Sequence, residues 1–109
     1  MAYNEGLAER LDSLLIQLPD ISTKKMFGGL GYLLAGNMCV GIWKDALIIR
    51  VGPEMAEQLL TRPHVRPFDI TGRPMKGWAM VMAEGLTEDE QLEAYVDLSV
   101  NFVSDLPAK

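Results

Sequence analysis

The sequence predicts a two-layer α+β domain, an antiparallel sheet with helices on one face, in the order α-β-β-β-β-α-β-β-α. Three observations predict it. Apolar residues recur at helical spacing near both ends of the chain, while short apolar runs broken by glycines and two-residue turns fill the middle. Those runs cluster instead of alternating with helices, which argues against a parallel βαβ sheet. At 109 residues the chain forms one domain, spanning 1–109.

The first helix is predicted over 4–17. Leu7, Leu11, Leu14, Leu15 and Leu18 make one apolar face, and Pro19 ends the helix because the residue before proline avoids helical geometry. Thr23–Phe27 reads as the first strand and Leu30–Ala35 as the second, with Gly28, Gly29 and Gly31 forming a turn or bulge. Gly36-Asn37 reads as a two-residue hairpin turn of type II′, with glycine first. Met38–Trp43 is then the third strand, Lys44-Asp45 a turn, and Ala46–Val51 the fourth strand. In that fourth strand Leu47 and Ile49 share one face, and Ile48 and Arg50 the other. Such short connections force antiparallel pairing.

Pro53 suits the first position of a second helix over 53–61, since that N–H has no helical partner anyway. A linker over 64–67, a short strand over 68–71, a glycine-bracketed loop and a last strand over 78–83 follow. Thr87-Glu88-Asp89-Glu90 reads as a capping box opening a third helix over 88–104.

The net charge of −5 is unevenly spread. The middle of the chain carries more bases than acids, and both ends are acidic. A free-standing nucleic-acid binder is usually basic overall, because phosphate neutralisation dominates its affinity. The whole-chain balance argues against that class, and the central bases keep it open. The polar, acidic first residues do not read as a secretory signal, no stretch suits a membrane helix, and a lone Cys39 allows no internal disulfide. A cytoplasmic location is expected.

The run Lys25-Met26-Phe27-Gly28-Gly29-Leu30-Gly31, then Gly36-Asn37-Met38 and Leu47-Ile48-Ile49-Arg50-Val51, resembles the N-terminal domain of the TfoX/Sxy family. Pro67-Phe68, a glycine loop, an aromatic-led last strand and a C-terminal helix extend the resemblance over nearly the whole chain. The sequence departs from the family after that Pro-Phe pair, where Asp69 and Ile70 stand in place of an aromatic. The resemblance implies a fold like that of secretion chaperones. It implies a structural role for Lys25, Met26, Phe27, Gly28, Gly29, Gly31 and Gly36. The name-giving members are bacterial regulators of DNA-uptake competence, acting with a cyclic-AMP-responsive transcription factor. The resemblance brings no catalytic residues.

The residues themselves offer little catalytic machinery. Gly28-Gly29-Leu30-Gly31 lacks the following helix that a phosphate cradle needs, so a hairpin is the better reading. His64, the single histidine, stands between Pro63 and Pro67 in a loop and reads as structural, with a binding or catalytic role as the alternative. Cys39 reads as core filler, not a reactive thiol. The acids at 84–93 lack calcium-loop spacing and read as a solvated helix start. No catalytic residue, cofactor or metal is expected.

Three functions are therefore expected, in order. The first is a non-enzymatic interaction module, a homodimer or an adaptor for a protein such as a transcription factor. It would use the open sheet face or last-strand edge, with Met75, Trp78, Met80 and Met82 as partner surface. The second is nucleic-acid binding by a basic patch of Lys24, Lys25, Arg50, Arg62, Arg66, Arg73 and Lys76 with aromatics to stack on. The third is a small-molecule-binding protein or enzyme built around His64.

Overall fold

The computed structural model describes residues 3–26, 28–70 and 72–109. The chain runs α1 (Glu5–Leu15), β1 (Ile21–Met26), β2 (Gly29–Leu34), β3 (Asn37–Trp43), β4 (Ala46–Arg50), α2 (Pro53–Leu59), β5 (Val65–Pro67), β6 (Trp78–Val81) and α3 (Asp89–Ser104). The six strands form one antiparallel sheet in the order β1-β2-β3-β4-β6-β5. The expected class, element order and one-sided helix layer are all present, but the last strand offers no edge: β6 is paired on both sides, by β4 and β5.

All three helices lie on the same sheet face. Leu7, Leu11 and Leu15 of α1, Ala56 and Leu59 of α2, and Leu92, Tyr95, Val96 and Val103 of α3 share one buried cluster with Ile42, Leu47 and Ile49 of the sheet. Asn4 fixes the entry to α1. Its side-chain oxygen accepts from the Leu7 N–H at 3.0 Å, and its amide donates to Asp45 in the β3–β4 turn.

Several boundaries differ from the sequence reading, each for a local reason. The β2–β3 turn is Ala35-Gly36, not Gly36-Asn37. Leu34 pairs with Asn37, and Ala35 and Gly36 both take positive φ (51° and 85°), as a type I′ turn requires. Asn37 is held in the strand because its side chain donates to the Pro107 carbonyl at 2.8 Å. Gly36 is also where the tail crosses: a Cβ there would sit 2.8 Å from that of Lys109.

The expected linker over 64–67 contains strand β5, and Phe68 to Ile70 is not a strand. Val65 can pair with Val81 because His64 turns the chain with φ 68° and its carbonyl accepts from the Met82 N–H at 2.7 Å. The last strand stops at Val81, before a single 3-10 turn over Ala83–Gly85. The capping box sits one residue later than expected. Glu88 is the N-cap, and the Gln91 side chain accepts from the Glu88 N–H at 3.0 Å.

Of the residues with an implied structural role, Lys25 and Met26 close β1, Gly28 lies in the turn, and Gly29 and Gly31 belong to β2. Phe27 lies outside the described residues. The Met26 thioether fills the space a side chain at Gly31 would need, with its sulfur 3.0 Å from that Cβ position.

Candidate protein-contact face

The sheet face opposite the helices is not bare. Ala46 and Ile48 of β4, Met80 of β6, and Phe68 form a second buried cluster, with Met38, Trp43, Ile70, Trp78 and Met82 packed partly exposed around it. The alternation of β4 sets this up: Leu47 and Ile49 go to the helix side, while Ala46, Ile48 and Arg50 go to this one. The β5–β6 loop then folds over part of the face. The Phe68 carbonyl accepts from the Met75 N–H at 3.0 Å, and the Gly77 carbonyl accepts from Val51 and Gly52 N–H groups at 3.0 and 3.1 Å. Phe68 and Trp78 pack with ring centroids 5.6 Å apart, tilted at 43°.

Around this apolar patch stand cations. The Arg50 guanidinium lies over the Trp78 ring at 5.4 Å, and the Lys44 ammonium over the Trp43 ring at 4.6 Å. Arg66 is opposite Met80 in the β5–β6 ladder and so shares its face, and it is exposed. Arg73 and Lys76 are exposed in the covering loop.

The candidate residues named from sequence are therefore partly brought together and partly dispersed. Trp78, Met80 and Met82 do meet on this face, while Met75 is outside that cluster, and Met80 is only 5% exposed, packed with Ile48 and Phe68. Met75 is exposed, and Trp78 and Met82 are half-buried. The seven basic residues do not form one patch. Lys24 and Lys25 lie on β1, at the sheet edge opposite β5. Arg62 is on the helix side, over the Tyr95 ring at 5.8 Å. Arg50, Arg66, Arg73 and Lys76 remain on or beside the Trp78 face. Sequence reasoning missed the two cation–tryptophan pairs. Trp43 and Lys44 are adjacent in the chain, a signal that was available; Arg50 meets Trp78 only through the β4–β6 pairing.

His64 is exposed and occupied as a backbone corner; its side chain packs beside Gly85. Cys39 is fully buried next to a β-bulge in β3, where Tyr32 pairs with Val40 and Leu33 with Met38. Burial pushes its thiol up to about 12, against a weaker downward pull from Arg50. Among the described residues no group of three His, Cys, Asp or Glu side chains could hold a metal ion. No helix among them is long and apolar enough to cross a membrane.

A separate groove of about 320 Å³ lies between the end of α1 and β1, lined by Asp12, Leu15, Leu18, Ile21, Thr23 and Tyr32 among others. At its base the Tyr32 hydroxyl donates to the Asp12 carboxylate at 2.7 Å. Burial first, and that bond second, raise the Tyr32 pKa above its ordinary value.

The architecture defines a class: a six-stranded antiparallel sheet with one helical layer and an aromatic, cation-rimmed opposite face. A crystal structure of Deinococcus radiodurans protein DR2400, which carries a DUF419 domain, has a similar fold. It matches with a TM-score of 0.66 and 20% identity over 90% of this chain and 78% of that one. No curated protein matches the sequence. The family model of the TfoX N-terminal domain matches residues 13–103, and the chain belongs to that family.

Proposed function

We propose that this domain is a non-enzymatic protein-contact module acting in transcriptional regulation in the cytoplasm, and that the Trp78 face is what its partner touches. The single observation that carries the reading is the pair of cation-topped tryptophans, Arg50 on Trp78 and Lys44 on Trp43, around one apolar cluster with no helix over it. Tryptophan and arginine are the residue types that dominate binding energy at protein interfaces. Half-buried, already packed rings lose little freedom on binding. The partner this surface suits is an acidic, apolar segment of another protein. Membership of the TfoX N-terminal domain family supports a transcription factor as that protein, and competence regulation as the setting.

The test is capture from a native cell extract by the wild-type domain and by Trp78→Ala, with the co-eluting proteins identified by mass. The reading predicts a specific partner retained by the wild type and lost with Trp78→Ala, while the variant keeps its melting cooperativity. Equal capture by both would end it.

A second reading has its own support. Arg50 lies over the Trp78 ring, Arg66 shares its sheet face, and Arg73 and Lys76 are exposed in the β5–β6 loop, a combination of cations and rings that single-strand nucleic-acid grooves use. It predicts salt-dependent binding of a labelled oligonucleotide that Arg66→Ala with Arg73→Ala abolishes. No binding at low salt excludes it.

A further inference from the structure

We infer that β1 is a self-association edge, pairing antiparallel with β1 of a second copy in a register centred on Thr23. The inference is independent of the Trp78 face, which lies on the opposite side of the sheet from the α1–β1 groove.

The sheet has two edges, built differently. At one end, β5 is three residues long, carries Arg66, ends on Pro67 and follows Pro63, a short and proline-blunted edge that resists pairing. At the other, β1 is six residues long with no proline or glycine, is mostly exposed, and is hydrogen-bonded on one side only, by β2. Its backbone phase is fixed. The Asp20 carbonyl accepts from the Ala35 N–H at 2.9 Å, so the even-numbered residues turn their peptide groups toward β2. Ile21, Thr23 and Lys25 therefore present free N–H and C=O groups outward.

Charge and face select one register. A two-fold axis normal to the sheet keeps every side chain on its own face, so the axis passes through a residue. Centred on Lys24 or Lys25, it sets a lysine directly against itself, which is destabilising. Centred on Ser22, it draws in Pro19, which has no N–H, and Asp20, whose φ of 62° leaves the strand region. Centred on Thr23, it pairs Ile21 with Lys25, Ser22 with Lys24 and Thr23 with itself, five of the six residues of the strand, with Met26 left outside the ladder.

In that register Lys25, on the helix face, lies opposite Ile21 of the second copy, at the mouth of its groove. The lysine stem covers Ile21 there and its ammonium reaches the Asp12 carboxylate in the groove wall. Ile16, 78% exposed, borders the same groove and is the apolar surface that a second copy would cover. Lysines on an edge strand usually discourage pairing; here both find acceptable neighbours in only one alignment.

Analytical ultracentrifugation over a concentration series tests this together with Thr23→Pro. Thr23 points its N–H outward, so proline removes the pairing donor without touching the β1–β2 ladder. The expected result is a wild-type dimer and a monomeric Thr23→Pro with a similar melting temperature; Lys25→Glu should weaken dimerisation about tenfold. Thr23→Cys supplies a measurement that does not depend on the proline variant folding. Its two sulfurs face each other across the axis at a separation of about 5.5 Å between Cα atoms, within disulfide range. Oxidation should crosslink it into a dimer more completely than Ser22→Cys, while the native Cys39 stays buried. A wild type that remains monomeric up to about 1 mM, or a dimer that Thr23→Cys fails to crosslink, overturns the inference.

Discussion

The two faces of the sheet are both apolar, but they are closed by different means. On one side, three helices bring long side chains into a continuous core in which Leu11, Leu47 and Ile49 have no exposure. On the other, a loop and a few methionines and aromatic rings cover four buried residues. Rigid helices that interdigitate leave voids where a side chain is removed. Methionines and a loop can move into such a void. The first face is therefore expected to lose more stability than the second when a side chain is truncated.

β4 offers a direct measure of this, because Ile48 and Ile49 are neighbours in sequence, equally buried, and point to opposite faces. Ile49→Ala is expected to cost about 4 kcal/mol and Ile48→Ala about 2 kcal/mol, read from denaturant melts. Equal losses would break the comparison.

Gly52 sharpens the same contrast from the helical side. It holds φ 89°, and a Cβ there would lie 2.6 Å from the Phe102 ring of α3. Gly52→Ala should destabilise by about 3 kcal/mol, combining backbone strain with overpacking. Gly72, in the loop near the second face, also has positive φ but open space around it. Gly72→Ala should cost about 1 kcal/mol from conformation alone. Thermal melts of the two variants side by side separate the packing contribution.

Alkaline pH probes the helical core next. Cys39 ionises near 9.0 when unfolded and near 12 when folded, so the native state holds its proton longer. The stability this represents is complete below about pH 9 and is lost progressively as pH rises toward 12. Tyr32, shifted the same way, adds to the loss. Cys39→Ala should flatten part of the decline in melting temperature across that window, and an unchanged slope would refute the assignment.

The smallest effect concerns Ser99. It is fully buried on α3, and its hydroxyl has no hydrogen-bond partner among the described residues. Replacing it with alanine removes an unsatisfied polar atom, and a gain of up to about 1 kcal/mol is expected from calorimetry.

Local features carried most of the fold into view. The leucine spacing of α1, Pro53 at the start of α2, the Lys44-Asp45 turn and the β4 alternation all act within a few residues, so they are legible without knowing what they touch. The departures came where a distant partner shifted a local choice. Asn37 entered its strand because Pro107 crosses it, and Val65 became a strand because β6 offered an edge. The candidate surface was half legible for the same reason. Its methionines and Trp78 could be named from composition, but not that Met80 would be buried with Phe68 and Ile48.

By itself the sequence determined the class, the order of elements and which residues prefer burial, because hydrophobic period and turn chemistry are properties of neighbouring residues. Only the tertiary structure decided which cations meet which rings and which edge of the sheet stays open. Those depend on the strand order β1-β2-β3-β4-β6-β5, which places Lys24 and Arg66 at opposite ends of the sheet and Arg50 across from Trp78.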